Sequence, residues 1–233
     1  MIHIQDFTFN SFQTRCSVVW DDSLSCAIVD PGCSSDAEIS ELTSFISSRG
    51  LKPVCIMLTH GHFDHVLGVA ELAARYDNLP VYMHPADKAT LAGNEYFTKW
   101  FGAPLPASFE TVDICEACPS EGCANGPKCI SVIEVGGLRF KVIETPGHTP
   151  GGVSFYEAAE KVLFSGDSLF AGAIGRTAHP GGDYEMLMKS ILGKLVTLEG
   201  SVTVFPGHGP CTDIAREGMT NPFLLPFNEP YED

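Results

Sequence analysis

Cationic residues are scarce in this chain: 14 Lys and Arg stand against 29 Asp and Glu in 233 residues, a formal net charge of -15. That balance argues against nucleic acid and anionic membrane surfaces as partners. Long apolar runs are missing as well, so no membrane-spanning helix is expected. The opening "MIHIQDFTFN" lacks the basic-then-apolar layout of a secretory leader, which predicts a cytoplasmic protein. Low-complexity segments and internal repeats are absent. The nine cysteines are odd in number and partly scattered, unlike a secreted disulfide framework. What is present, 44% apolar and 18% charged residues, is a globular composition, and the length suits one domain over residues 1–233.

Histidine is uncommon too, with eight in the chain, yet three of them fall within six residues: His60, His62 and His65, with Asp64 between. The run "PVCIMLTH" before them is short and apolar, as for a buried strand, and "VLGVAELAARYD" after them has helical spacing. Upstream, "CSVVWDD" and "CAIVDPG" read as two strands. "PGCSSDAEISELTSFISSRG" reads as a helix with Ser34, Ser35 or Asp36 as N-cap and Gly50 as its stop. "PVYMH" is a further strand. Residues 87–130, with several prolines, predict a partly helical excursion over the active face and then an irregular loop. "SVIEVGGLRFKVIETPGHT" predicts a hairpin turning at Gly136-Gly137, and "GVSFYEAAEKVLFSGD" a second pair of strands. "YEMLMKSILGKLVTL" is an amphipathic helix and "SVTVFPGHG" a last strand. The alternation fits two sheets face to face with helices on both outer faces.

Four polar clusters each follow an apolar strand: "THGHFDH", "TPGH", "SGD" and "FPGH". Imidazole and carboxylate are ligands for zinc, manganese or iron. On an extended stretch His60 and His62 point the same way, whereas Asp64 and His65, where the chain turns into a helix, aim elsewhere. One loop can then serve two adjacent ions, with His148, Asp167 and His208 completing both sites. The two oxygens of Asp167 suit it to a bridge.

These clusters resemble the metallo-β-lactamase superfamily, an α/β fold built as an αββα sandwich with mixed sheets and a dinuclear metal site. "ETPGHTPGGVSFY", "FSGDSLFAGAIGRT", "FPGHGP" and "TNPFL" are similar to the short, single-domain type of glyoxalase II, a hydroxyacylglutathione hydrolase. The resemblance implies that His60, His62 and His148 hold one ion and that Asp64, His65 and His208 hold the other, with Asp167 between. It implies hydrolysis of a thioester such as S-lactoylglutathione by a hydroxide bridging the two ions, oriented by Asp64. Zinc is the default metal, with iron and manganese as alternatives. It makes Arg176, in "GAIGRT", a candidate for a substrate anion, the alternative being an arginine that holds its loop through backbone carbonyls. Where short-form relatives carry an aspartate after "GRT", this chain has Ala178 and His179, and His179 is expected to be a surface residue, the alternatives being a substrate contact and a stray metal ligand.

A persulfide dioxygenase with one iron on His60, His148 and Asp167 is the nearest enzymatic alternative. A reading of another class, a metal- or redox-sensing module, comes from "CEACPSEGCANGPKC" in a 110–130 insertion: Cys115, Cys118, Cys123 and Cys129 suit a structural zinc, reversible disulfides or plain packing. Cys16, Cys26 and Cys55 are expected in the core, and His84 at a strand end. Tyr96, Phe97, Trp100 and Phe101 are expected to be packed on one another, the alternative being a wall of the substrate pocket. Oligomeric state is not legible.

Overall fold

The computed structural model describes residues 1–116 and 130–225. One six-stranded sheet runs β1 (His3–Phe9), β2 (Thr14–Trp20), β3 (Ser25–Val29), β4 (Lys52–Met57), β5 (Val81–Met83) and β6 (Val112–Asp113), side by side in chain order. The second holds β7 (Val132–Val135), β8 (Leu138–Glu144), β9 (Val153–Glu157), β10 (Val162–Gly166), β13 (Thr203–Pro206) and β14 (Thr212–Asp213), in the order β14-β13-β10-β9-β8-β7. A small ribbon, β11 (Leu169–Phe170) with β12 (Ala173–Ile174), stands apart. Both large sheets mix parallel and antiparallel pairs, β3-β4 and β10-β13 being parallel. The helices are α1 (Asp36–Ser48), α2 (Phe63–Val66), α3 (Val69–Arg75), α4 (Lys88–Phe101), α5 (Tyr184–Ser190), continued by a π-helical turn Ile191–Leu195, and α6 (Ile214–Thr220). Among the described residues no helix is long and apolar enough to cross a membrane.

The period-2 alternation of the strands sorts their side chains into three apolar layers. Val18 and Ile28 face outward onto Ile39, Leu42 and Ile46 of α1 and Val69 and Leu72 of α3. Their neighbours Val19 and Ala27 face inward, against Phe140, Val142, Phe155 and Phe164 of the second sheet. Leu163 and Ile143 face the far side, against Leu187, Ile191, Leu195 and Ile214. Helix, sheet, sheet, helix follow in that order, because each sheet is apolar on both faces and must be covered twice. Cys16, Cys26 and Cys55 are buried small core residues, and burial pushes the Cys26 and Cys55 thiols up to about 12. Among the described thiols Cys211 is exposed.

Local chemistry sets the element ends. Ser35 caps α1, accepting from the backbone N–H of Glu38, while the Glu38 carboxylate accepts from the N–H groups of Ser34 and Asn10. Gly50, just past the helix, has φ +66°. Gly136 at φ +61° turns β7 into β8. The opening strand β1 and the closing helix α6 lie outside the sequence reading. β1 has a half-polar edge pattern, and α6 spans only 7 residues, too few for a helical period to show. Of the cysteine cluster, Cys118, Cys123 and Cys129 lie outside the described residues, as does most of the 110–130 insertion; Cys115 is buried.

Candidate metal centre

Every polar cluster marked in the sequence follows a strand, and the strands end at one rim between the sheets. β4 leads to His60 and His62, β8 to His148, β10 to Asp167 and β13 to His208. Asp64 and His65 sit in α2, one turn past His62, so their side chains leave the loop in a different direction. All seven converge. The donor atoms of His60, His62 and His148 lie within 4.8 Å of one another, as do those of Asp64, His65 and His208. A third trio, His60, His65 and Asp167, lies between them.

The carboxylate of Asp167 faces both trios. Its Oδ2 is 3.4 Å from Nε2 of His148 and 3.5 Å from Nε2 of His208, and its Oδ1 is 3.5 Å from Nε2 of His65. Asp64 Oδ2 is 3.5 Å from Nε2 of both His65 and His208, and accepts a hydrogen bond from Thr14 Oγ1 at 2.8 Å. The outer ring nitrogens have acceptors of their own. Nδ1 of His65 meets Asp30 Oδ2 at 3.1 Å, Nδ1 of His148 meets the Arg176 carbonyl at 2.7 Å, and Nδ1 of His208 meets the Phe12 carbonyl at 3.0 Å. A carboxylate and a carbonyl only accept, so each of these Nδ1 atoms carries a proton and each ring turns its Nε2 inward, free to ligate a metal when that nitrogen is unprotonated.

Two divalent cations fit this donor set. His65 Nε2 and His208 Nε2 approach to 3.3 Å, and His62 Nδ1 and His148 Nε2 to 2.9 Å, distances at which paired lone pairs repel unless a cation lies between. His60 Nε2 and Asp167 Oδ1 are buried with no hydrogen-bond partner. Burial, with neighbouring imidazoles, holds His60 and His62 well below the usual histidine range and so in the ligating, neutral form. Burial opposes charge on His65 also, but Asp64, Asp167 and Asp30 outweigh it and push His65 up to about 10. Burial would raise Asp167, but His65 and His208 hold it well below the carboxylate range. Asp167 thus stays anionic, and the acidic groups around His65 favour positive charge there. Nitrogen and oxygen donors of this mixture suit zinc, iron or manganese.

The metallo-beta-lactamase superfamily model matches residues 10–208, a span that contains all seven of these residues. This chain belongs to that superfamily. The hydroxyacylglutathione hydrolase GloC of Haemophilus influenzae is 34% identical over 223 residues, covering 96% of this chain and 98% of its own. The B3 metallo-beta-lactamase BLEG-1 superposes with a TM-score of 0.82 at 34% identity, over 95% of this chain and 99% of that one. TTHA1623, crystallised in a di-iron-bound form, gives 0.77 at 34%, over 94% and 100%.

Residues that the sequence reading passed over fasten this superfamily centre. Asp87, fully buried, accepts from the backbone N–H of Gly61 (2.6 Å) and of Gly151 (2.7 Å), and from the hydroxyls of Thr149 (3.0 Å) and Thr90 (3.1 Å). It ties the loop of His60 and His62 to the loop of His148. Asn94 of α4 donates to the Gly61 carbonyl at 2.8 Å, so both backbone groups between the two histidines are held. Thr59 and Asp30 complete the support: Thr59 Oγ1 meets His60 Nδ1 at 3.1 Å and donates to Asp30 at 2.6 Å. The only sequence signal for Asp87 was its place after "HP", the start of a helical turn.

Three expectations change. His179 is not a remote surface residue. Its ring stands 5.2 Å from that of His62 and 5.0 Å from that of His148, because the 176–182 loop folds back over the centre, with both its ring nitrogens on the carbonyls of Arg176 and Pro180. The aromatics of α4 are not uniformly packed. Phe97 meets His62 edge-to-face at 5.4 Å, Phe101 meets Phe12 at 5.3 Å, and Tyr96, which packs against Phe97, and Trp100 are exposed. Arg176 does not hold its loop through its side chain. Its carbonyl takes the His148 and His179 hydrogen bonds, while its exposed guanidinium has no hydrogen bond or ion pair among the described residues.

Gly207 is a place of close approach. A Cβ there would fall 2.2 Å from Asp167 Oδ1 and 2.8 Å from His65 Cε1. Gly207→Ala must displace that carboxylate, and metal affinity measured by chelator competition is expected to fall about 10- to 100-fold. An unchanged affinity would show that the position of Asp167 does not matter.

Proposed function

We propose that this chain is a dinuclear metal-dependent thioesterase that hydrolyses acyl thioesters of glutathione, of the S-lactoylglutathione type. The observation that carries the reading is the pair of ligand trios meeting across Asp167. Two ions held there would supply Lewis acidity toward a carbonyl and lower the pKa of a bound water toward ~7. The protein's part is to hold and to orient. Asp30, Thr59 and the Arg176 and Phe12 carbonyls fix the ring tautomers, and Thr14 fixes the rotamer of Asp64. Asp64 and Asp167 supply negative charge that would keep both ions, and Asp64, by the resemblance, is suited to orient the attacking water. One water is consumed, the acyl–sulfur bond breaks, and a carboxylic acid and a thiol leave.

The likeness to GloC along nearly the whole chain supports a glutathione thioester as substrate. Arg176, its guanidinium exposed at the rim, is suited to a carboxylate of the thiol carrier. A cytoplasmic setting, with its reduced thiols, suits both the substrate and the nine cysteines.

The test is turnover of S-lactoylglutathione by protein as purified, read as thioester loss with equal thiol release. The expected result is turnover that a chelator removes and that zinc, iron or manganese restores. No thiol release with any of the three metals contradicts the thioesterase. Oxygen uptake with glutathione persulfide and one iron per chain would establish the dioxygenase instead, and opening of a chromogenic cephalosporin in place of the thioester a lactamase. Metal confined to the cysteine loop with no turnover would establish the sensing module.

A further inference from the structure

We propose that the groove between α4 and the loops carrying His148 and His179 is an acyl pocket of this centre, and that it selects thioesters of apolar acyl groups. The inference rests on the thioesterase reading above. The groove encloses about 260 Å3, with Ala89, Gly93 and Phe97 on one wall and Pro150, Pro180 and Gly181 on the other. Among the described residues no charged side chain lines it.

It adjoins the metal centre. Phe97, on its wall, lies against His62, Pro150 follows His148 by two residues, and Pro180 follows His179, whose ring abuts His148. Thr90, also on the groove wall, donates to Asp87, which holds the backbone of both metal loops.

Gly93 is the pointed observation. Glycine inside a helix is destabilising relative to alanine, and it is tolerated where packing or an unusual φ demands it. Neither applies here: Gly93 sits within the regular α4, and a Cβ there would meet nothing within 4 Å. What the missing side chain leaves is room in the groove.

Of the two halves of a glutathione thioester, the carrier brings carboxylates and an ammonium, which an uncharged groove would strip of water without replacement. The acyl half fits, and the carrier is left on the open side with Arg176. An apolar cavity of about 150 Å3 admits benzene, so this groove takes a phenylacetyl or a six-carbon chain.

The experiment measures kcat/KM of the metal-loaded enzyme on S-acetyl-, S-butanoyl-, S-hexanoyl- and S-phenylacetyl-glutathione. The expected result is a rise of about threefold per methylene up to six carbons, with phenylacetyl near the top. In Gly93→Leu, which fills the groove, the hexanoyl-to-acetyl ratio falls by about tenfold, with Gly93→Ala between, and the melting temperature is no lower than in the parent. A flat or falling profile in the parent, or an unchanged ratio in folded Gly93→Leu, overturns the acyl pocket while the thioesterase stands. Should Gly93→Leu fail to fold, the parent profile and Gly93→Ala decide. Absence of turnover on all four while S-lactoylglutathione is hydrolysed overturns the pocket alone, and absence of turnover on S-lactoylglutathione as well overturns the thioesterase and the pocket with it.

Discussion

Asp167→Ala is expected to retain at most one ion per chain and to lose thioester turnover by about 10^3-fold or more. The size follows from where the carboxylate stands. Among the described residues it is the one acidic group facing both ligand trios, within 3.5 Å of the inward nitrogens of His65, His148 and His208. Removing it leaves those imidazoles facing two dications with Asp64 as the only inner carboxylate among the described ligands. The fold itself is expected to survive, since Asp167 makes its contacts within the ligand cluster and the strand β10 before it is fixed by the apolar layers. Elemental analysis beside kcat/KM checks this. A variant with two ions and most of its turnover would remove Asp167 from the bridging place.

Asp87→Ala is expected to cost about 4 kcal/mol of stability, because two buried backbone N–H groups, of Gly61 and Gly151, lose their acceptor. For a chain of this size that lowers Tm by about 10 °C. The same change is expected to weaken metal binding about 10- to 100-fold in protein held well below its Tm, since the loops of His60, His62 and His148 are no longer tied together. Asp87→Asn keeps one acceptor and turns an amide N–H toward the remaining donors, so it is expected to fall between. Thermal melting and chelator competition separate the two effects. A large drop in Tm with parental metal affinity would mean that Asp87 supports the fold without positioning the ligands.

The convergence of the seven candidate ligands was legible because its signal is local and chemical. Each cluster follows an apolar strand, and residues just past strand ends share a rim, so the convergence of His60, His62, Asp64, His65, His148, Asp167 and His208 follows once two sheets are stacked. The sandwich was legible for a related reason: adjacent strand positions such as Val18 and Val19 are both apolar, which only a sheet covered on both faces accommodates. The supporting groups were not legible. Asp87 and Asn94 act through backbone atoms of Gly61, a partner distant in sequence that no pattern of residue types marks. His179 and Phe97 reach the centre through the path of a loop and the facing of one helix, and both depend on tertiary packing. β1 was missed because its alternation is blurred by Gln5 and Asp6, of which Asp6 is engaged by Arg15 and Ser17.

The most direct test of two ions shared by one histidine-rich loop is the metal content of protein purified without added metal or chelator, set beside that of His60→Ala and His65→Ala variants. The account predicts two ions per chain in the parent outside the cysteine loop. His65→Ala, which removes a donor from the second trio, should keep the first ion and lose the second, and His60→Ala should weaken the first. A parent that binds a single ion, and recruits no second when zinc, iron or manganese is supplied in excess, would contradict the dinuclear centre.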